Sequence, residues 1–190
     1  MRRICVYCGS NGGSKPVYLE AASRLGMLLA ERGIGVVYGG GNSGMMGAVA
    51  DGALSRAGEV TGVTPAMFVE MGLIHQGLTD LKVVSTMHER KALMVELAEG
   101  FIALPGGLGT FEELFEVLTW AQLGLHQKPC GVLNVNGYYD HLVSFLDHAV
   151  EEMFIKAAHK QMLMVAESPE KLLEGFLDYR PSRESKLFSS

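Results

Sequence analysis

Two consecutive cations, Arg90 and Lys91, stand one turn into a predicted helix within the segment STMHERKALM, residues 85–94. Positive charges near the start of a helix oppose its dipole, at a cost of about a few tenths of a kcal/mol each unless an anion lies nearby. A guanidinium can fork onto a phosphate or a carboxylate, and an ammonium adds a point charge. The placement favours an anion-binding role for both residues, with a solvated charged face as the alternative.

A second segment, PGGLGTFEE at residues 105–113, combines a glycine loop with a carboxylate. Gly106, Gly107 and Gly109 can form a backbone cradle, and Thr110 is predicted to open a helix whose amide N–H groups face the same space. Such an arrangement suits an anion, because the N-terminus of a helix carries a partial positive charge. The loop therefore predicts a phosphate-binding site.

Glu113 has two interpretations. The spacing Thr110-x-x-Glu113 fits a capping box, in which the glutamate reaches back to the N–H of the cap residue. Alternatively, its carboxylate takes part in the chemistry of the site, and Glu112 beside it could reach the rim of the pocket. The spacing alone leaves both open. For the similar pair Thr86 and Glu89, before the preceding helix, the capping box is the favoured interpretation.

A third glycine motif, GGGNSGMMG at residues 39–47, follows the second predicted strand. Gly39-x-Gly41-x-x-Gly44 has the spacing of a dinucleotide fingerprint. No Asp or Glu ends the next strand, which finishes at Thr64, and this argues against a dehydrogenase. The sequence has no G-x-x-x-x-G-K-[ST] motif, which excludes a P-loop NTPase. The motif favours contact with a phosphate or a ribose, and a tight turn is the alternative.

Other reactive side chains are less informative. Cys5 and Cys8 form a C-x-x-C motif, but residues three apart on a strand point to opposite faces, so we interpret both as small core residues. No Cys, His or Asp cluster has metal-ligand spacing, and no G-x-S-x-G motif marks a serine hydrolase. We expect neither a metal nor a cofactor.

Length and charge limit the classes of protein. At 190 residues the chain can form one sizeable core and is too short for two ordinary domains. Its net charge of −5 argues against a nucleic acid or an anionic membrane as the main partner. It has no apolar run of about eighteen residues, so no transmembrane helix is expected. Three cysteines, an odd number, suit a reducing cytosol, and we expect a cytoplasmic protein.

Apolar runs alternate with helical patterns along the chain. Runs that suit buried parallel strands cover residues 4–9, 34–39, 59–64, 81–86, 101–106 and 130–135. Helices are predicted over residues 17–33, 44–57, 87–99, 110–124, 138–152 and 169–178. This alternation predicts an α/β fold, a doubly wound, Rossmann-like parallel sheet with helices on both faces. A single nucleotide-binding domain would cover residues 1–180, followed by a flexible tail at 181–190.

The motifs above fall where predicted strands 1, 2, 4 and 5 pass into their helices. In open parallel sheets, ligands bind beyond the carboxyl ends of the strands, where the strand order reverses. We therefore expect one site at this edge of the sheet. Residues 65–80 have no clear pattern and are interpreted as a mobile loop over that site.

The segments MHERK (residues 87–91) and PGGLGTFEE (residues 105–113) resemble the signature of the LONELY GUY (LOG) family. The pattern P-G-G-x-G-T-x-x-E is matched at every fixed position. The resemblance covers nearly the whole chain, including YGGGNSGMMG at residues 38–47 and the pair TW at 119–120. Members of the family are cytokinin riboside 5′-monophosphate phosphoribohydrolases. Many carry the label lysine decarboxylase, but no segment here suggests a lysine that would hold pyridoxal phosphate.

The resemblance implies hydrolysis of the N-glycosidic bond of an adenosine 5′-monophosphate, plain or N6-modified, with release of the base and ribose 5-phosphate. Arg90 and Glu113 would be the catalytic pair, with the Glu113 carboxylate stabilising the charge that builds on the ribose, binding its hydroxyls or directing water. The implied substrate-binding residues are Ser10, Gly40, Gly41, Met87, Lys91, Gly106, Gly107, Leu108, Gly109, Thr110, Glu112 and Thr119.

The partners implied by the resemblance are a small nucleoside monophosphate and a second copy of the chain in a homodimer. The alternative function is that of a non-catalytic nucleotide or cofactor carrier of the same fold. Retention of the Arg90 and Glu113 pair favours the enzyme.

Overall fold

Buried apolar runs form the centre of the protein, a parallel sheet of seven strands. The computed structural model describes residues 1–181. The strands are β1 (Arg3–Tyr7), β2 (Gly35–Tyr38), β3 (Val60–Pro65), β4 (Asp80–Val84), β5 (Phe101–Ala103), β6 (Cys130–Leu133) and β7 (Leu163–Ala166). All residues of β2, β3, β5 and β6 are buried, as expected for strands that are covered by helices on both faces.

The strands lie in the order β4-β3-β2-β1-β5-β6-β7. Cys5 of β1 pairs with Val37 of β2 on one side and with Phe101 of β5 on the other, both in parallel. The order reverses between β1 and β5, because the chain returns from the β4 edge to the opposite side of β1. A reversal of this kind opens a crevice at the carboxyl ends of the strands.

Helices connect the strands and cover both faces of the sheet. They are α1 (Pro16–Glu31), α2 (Gly44–Leu54), α3 (Ala66–Glu70), α4 (Met87–Leu97), α5 (Leu108–Gln122), α6 (Asp140–Glu151), α7 (Ala157–Lys160) and α8 (Pro169–Asp178), with a 3₁₀ turn at Val135–Gly137. Leu25, Val49 and Leu172, from α1, α2 and α8, lie in the core on one face. Met94 and Leu114, from α4 and α5, lie in the core on the other. The predicted fold class is confirmed.

The sequence patterns miss three short elements, namely β7, α3 and α7. β7 is a four-residue strand at the sheet edge with only one buried position, so it lacks the continuous buried run of a central strand. Helix α3 lies in the stretch 65–80, where Ile74 also forms an antiparallel bridge with Gly41. The stretch therefore contains regular structure, and its place beside the cavity described below agrees with the predicted position over the site, while its mobility stays a prediction. All of the predicted tail beyond residue 181 lies outside the described residues.

The two cysteines of the C-x-x-C motif have different surroundings. Cys5 is fully buried within β1, as predicted. Cys8 follows the end of that strand. Its side chain packs against the core, as predicted, and also lines the cavity described below.

Candidate active site

A cavity of about 500 Å³ opens at the carboxyl ends of β1, β2, β3 and β5, beside the reversal of strand order. The glycine-rich turns after β1, β2 and β5, together with α4, form its polar side. The segment after β3 forms its apolar side. The sequence motifs predict a site at strands 1, 2, 4 and 5. The structure adds β3 and shows that β4, at the edge of the sheet, contributes only through the helix that follows it.

Arg90 and Glu113 meet in the wall of this cavity as a buried ion pair. Arg90 Nη1 donates to Glu113 Oε1 at 3.1 Å, and the two side chains are only 11% and 10% exposed. Arg90 Nε donates to the carbonyl oxygen of Val63 in β3 at 3.0 Å. The guanidinium is thus fixed at two points, so Arg90 does not belong to a solvated charged face.

The backbone of Gly39 leaves the space that the Arg90 guanidinium occupies. A Cβ atom at position 39 would lie 2.1 Å from Arg90 Nη2 and 2.6 Å from the Met46 methyl carbon. Atoms at such separations overlap, so either the arginine or the backbone would have to move. A glycine at position 39 is therefore required for the observed Arg90–Glu113 geometry.

The cap of α4 positions Arg90 one turn into the helix. Thr86 Oγ1 accepts a hydrogen bond from the backbone N–H of Glu89 at 3.1 Å. The Glu89 carboxylate in turn accepts from the backbone N–H of Ser85 at 2.8 Å. This is the predicted capping box, with the return bond one residue earlier than in the usual motif.

Helix α5 begins differently from the prediction. Its N-cap residue is Gly107, which supplies no side-chain hydrogen bond, and Thr110 is already buried within the first turn. Glu113 therefore does not form a capping box with Thr110 and pairs with Arg90 instead. Because no side chain caps this helix start, the backbone N–H groups of its first turn can bind an anion in the cavity.

Hydrogen bonds to two carbonyl oxygens of the turn before α5 hold this turn from both sides. The Gly9 N–H donates to the carbonyl oxygen of Pro105 at 3.1 Å, and the Tyr138 hydroxyl donates to the carbonyl oxygen of Gly106. A Cβ atom at Gly106 would lie 2.1 Å from Thr110 Oγ1, so this position also requires a glycine. Gly106 supports the loop from behind and lies outside the lining of the main cavity.

Several of the predicted site residues come together around the cavity. Its lining includes Ser10, Gly41, Met87, Arg90, Gly107, Leu108, Gly109, Thr110 and Glu113.

Other predicted site residues lie outside the lining of the cavity. Lys91 pairs with Glu112 and, at 3.0 Å, with Glu116, which links α4 to α5. Thr119 is exposed further along α5, and Gly40 accepts a hydrogen bond from the His75 N–H through its carbonyl oxygen.

The sequence patterns did not identify most of the side chains on the apolar side of the cavity, although they placed residues 65–80 over the site. Phe68, Leu73 and Ile74 line it from the segment after β3, together with Met46 from α2 and Cys8. Their segment is tied to the glycine turn after β2, where the Asn42 N–H donates to the carbonyl oxygen of Leu73 at 3.1 Å. The glycines of that turn were a signal for the site, but residues 65–80 show no periodicity that would reveal which side chains face it.

Burial dominates the electrostatics of Glu113. Removal of its carboxylate from water raises its pKa to about 7, although Arg90 and Lys91 act in the opposite direction. Burial also raises the pKa of the Cys8 thiol, so Cys8 is not an activated nucleophile. Glu113 is thus poised to change its charge near neutral pH.

The raised pKa predicts that Glu113 lowers stability as the pH rises. An ordinary glutamate loses its proton near pH 4.5, and native Glu113 does so near pH 7. Between these values the native state holds more protons than the unfolded state, so the stabilisation present below pH 4.5 is lost as the pH rises through 7. We expect wild type to lose roughly 3 kcal/mol more than Glu113→Gln between pH 4.5 and 8. Urea unfolding of both proteins across this range measures the difference, and parallel curves would contradict it.

Within residues 1–181, no group of three or more His, Cys, Asp or Glu side chains is placed to hold a metal ion. In the same part of the chain, no helix has the length and apolar character needed to cross a membrane.

Comparison with known proteins gives two kinds of match. A family model described as "Possible lysine decarboxylase" matches residues 46–176. The chain is 47% identical over 180 residues to a cytokinin riboside 5′-monophosphate phosphoribohydrolase of Arabidopsis thaliana, covering 95% of this chain and 83% of that protein. It is 46% identical over 183 residues to a probable enzyme of the same name from Oryza sativa subsp. japonica, covering 96% and 75%.

Solved structures share the fold at lower identity. A molybdenum cofactor binding protein from Rippkaea orientalis aligns with a TM-score of 0.70 and 25% identity, covering 91% of this chain and 93% of that one. The molybdenum cofactor carrier protein of Chlamydomonas reinhardtii aligns with a TM-score of 0.67 and 20% identity, covering 91% and 98%. The second likeness concerns the fold alone.

Proposed function

The chain belongs to the LONELY GUY (LOG) family of cytokinin riboside 5′-monophosphate phosphoribohydrolases, and on this basis we propose that it hydrolyses the N-glycosidic bond of an adenosine 5′-monophosphate, plain or N6-modified. The products are the free base, a cytokinin or adenine, and ribose 5-phosphate. The observation that carries the proposal is the buried Arg90–Glu113 pair beside an uncapped helix start in one cavity.

We infer a task for each part of the cavity, and its geometry supports the assignment. The N–H groups at the start of α5 bind the 5′-phosphate, with Ser10 and Gly107 to Thr110 around it. Glu113 lies one turn further along the same helix, so the ribose of the bound nucleotide is held beside its carboxylate. Arg90 keeps that carboxylate oriented. The apolar side of the cavity excludes water from the base.

The reaction breaks the bond between C1′ and the base nitrogen. The bonding electron pair leaves with the base, positive charge builds on the ribose, and the ionised Glu113 carboxylate stabilises it. A water molecule then adds its oxygen to C1′. One of its protons stays on the new C1′ hydroxyl of ribose 5-phosphate, and the other goes to the nitrogen of the departing base. Glu113 is the only carboxylate that the cavity lining offers within residues 1–181, so a two-carboxylate scheme of the kind used by most glycosidases does not apply.

Gly39→Ala tests whether the Arg90 geometry matters for this reaction. The added Cβ displaces the guanidinium, and a misplacement of about 1 Å can cost about 100-fold in rate, so we expect kcat/KM to fall by about that factor. Steady-state base release measures it. In an Arg90→Ala background the same change should cost much less, and what remains comes from the overlap with the Met46 methyl carbon. An equally large Gly39→Ala effect in that background would contradict a role through Arg90, and Gly175→Ala on α8 is the matched glycine control.

A product assay separates this function from its two alternatives. Purified protein is incubated with a panel of nucleoside monophosphates, including AMP and N6-prenylated AMP, and the released base is identified by mass. A carrier would bind a nucleotide tightly without turnover, whereas a lysine decarboxylase would require pyridoxal phosphate. The cavity lining in the described structure contains no lysine for that cofactor, and Lys91 is engaged by two carboxylates. Absence of base release from every nucleotide would overturn the proposal.

A cytoplasmic homodimer is part of the same proposal. Three free cysteines suit a reducing compartment. Exposed apolar side chains, including Phe115 and Leu125 on and after α5, offer a surface for a second copy. Sedimentation equilibrium across a range of protein concentrations measures the assembly, and a monomer at all concentrations would contradict it.

A further inference from the structure

Thr64, the penultimate residue of β3, holds a hydroxyl without a partner in the wall of the cavity. The residue is 0% exposed and belongs to the cavity lining. Among residues 1–181, no donor or acceptor forms a hydrogen bond with its Oγ1 atom. Burial of a hydroxyl without a hydrogen bond is unfavourable, and most buried polar groups in proteins are paired. The feature points to a ligand.

The position of Thr64 defines which part of a ligand it meets. The neighbouring Val63 accepts a hydrogen bond from Arg90, whose other end contacts Glu113. Strands β3 and β5 are separated by β2 and β1, which is three strand spacings or about 14 Å. The cavity therefore extends from the anion site at the start of α5, past the Arg90–Glu113 pair, to Thr64.

We propose that the Thr64 hydroxyl hydrogen-bonds the purine base of the bound nucleotide, an inference that rests on the proposed function. With the phosphate at α5 and C1′ beside Glu113, the base extends towards β3. Phe68, Leu73 and Ile74 line this end and pack against the apolar faces of the base. A hydroxyl can both donate and accept, so it can pair with a ring nitrogen at the edge of the base.

Access to the hydroxyl involves the side chain of Ile74. A Cβ atom added to Gly40 would lie 3.5 Å from Thr64 Cβ and 3.7 Å from Ile74 Cδ1, so both side chains approach the same point beside this glycine. Ile74 itself lines the cavity, and the proposed contact requires side chains at this end, such as that of Ile74, to move aside from the hydroxyl. The base then takes the place of an aliphatic group at this point.

Three variants test the contact. Thr64→Val keeps the side-chain shape and removes only the hydroxyl, and Thr64→Ser retains the hydroxyl. Thr61→Val makes the same change at a buried threonine of β3 outside the cavity lining. For Thr64→Val we expect a KM for AMP about fivefold to tenfold higher than wild type, with kcat within about twofold. Thr64→Ser should stay near the wild-type KM, and Thr61→Val should not change it.

Two further measurements separate the base from the rest of the ligand and from the fold. Inhibition by ribose 5-phosphate, which has no base, should be the same for wild type and Thr64→Val. Urea unfolding should show Thr64→Val to be at least as stable as wild type, because the removed hydroxyl has no partner within the described chain. A hydroxyl with only a structural role would instead lower stability and leave KM unchanged.

The outcomes distinguish this inference from the proposed function. If wild type releases no base from any nucleotide, the proposed function fails. If wild type is active and Thr64→Val has the wild-type KM, the Thr64 contact is overturned. Weaker inhibition by ribose 5-phosphate in Thr64→Val would place the contact on the ribose and overturn the assignment to the base. Should Thr64→Val fail to fold, Thr64→Ser and Thr64→Ala, which differ only in the hydroxyl, allow the same comparison.

Discussion

Glu113→Gln is expected to lower kcat for base release by about 10³-fold while KM for the nucleotide stays within about threefold. The substitution keeps the shape of the side chain and removes the charge that opposes the developing cation at C1′. Loss of one preorganised electrostatic group in an active site typically costs about 10²–10³-fold in kcat. KM changes little, because the phosphate and the base are bound by other parts of the cavity.

The pH dependence gives a second measure of the same residue. The native pKa of Glu113 is about 7, so kcat/KM of wild type should rise with pH from 6 to 8 as the carboxylate ionises. The rise should be absent in Glu113→Gln. A kcat/KM that falls over this range would mean that the protonated form is the active one, and would contradict stabilisation by the carboxylate.

A matched control is available next in the sequence. Glu112 is exposed and lies outside the cavity lining, where it pairs with Lys91. Glu112→Gln removes the same charge from the same helix, and we expect activity within about twofold of wild type. If both glutamine variants lost activity equally, a general effect on α5 would replace the specific role of Glu113.

Arg90→Lys is expected to lower kcat/KM by about 100-fold although it keeps the positive charge. The guanidinium contacts Val63 and Glu113 at once through different nitrogens, with separations of 3.0 and 3.1 Å. A single ammonium on a shorter head group cannot reproduce this fork. Glu113 is then free to turn, and its misplacement costs rate. Lys91→Arg, a charge-preserving change at the next residue, is the control and should leave kcat/KM within about threefold.

Arg90→Ala is expected to lower the free energy of unfolding, and more so at high pH. Arg90 lowers the pKa of Glu113, so its removal lets that pKa rise further. Removal of one partner of a buried pair typically costs about 3–5 kcal/mol when the other charge stays ionised. At pH 6 the Glu113 carboxylate takes up a proton, so the variant avoids much of the cost of an unpaired buried charge. At pH 8.5 ionisation is favoured, and the cost remains. The loss measured by urea unfolding should therefore be larger at pH 8.5, and an equal loss at both pH values would contradict the coupling.

The likeness to molybdenum cofactor proteins illustrates the limit of fold-level reasoning. These proteins share the sheet and the helices with TM-scores of 0.67–0.70. The phosphoribohydrolases are far more similar in sequence, at 46–47% identity over at least 95% of the chain. The fold alone would allow either function. The buried Arg90–Glu113 pair has a role in the proposed release of the base, whereas simple carriage of a cofactor does not require it.

Local sequence patterns predicted the central strands and the long helices well, because the spacing of apolar residues in them follows from which side chains are buried. The strands before each glycine motif appear at the expected places, and the helix over residues 169–178 is confirmed to the residue. Short edge elements such as β7 and α3 were missed. Their few residues do not bury a continuous face, so tertiary contacts stabilise them more than any local preference.

The sequence by itself determined the fold class, the family and the identity of the Arg90 and Glu113 candidates, since these depend on residue types and spacing along one chain. Spacing could not decide between a capping role and a chemical role for Glu113, because a capping box and a site carboxylate have the same local pattern. The tertiary structure excludes the capping role, because α5 begins at Leu108 and Arg90, from a different helix, lies 3.1 Å from the Glu113 carboxylate. In the structure Lys91 and Glu112, which the sequence predicts in the site, lie outside the cavity lining, whereas Thr64 and Ile74 belong to it. Contacts between residues distant in sequence depend on how the strands are ordered in the sheet, so spacing along the chain could not predict them.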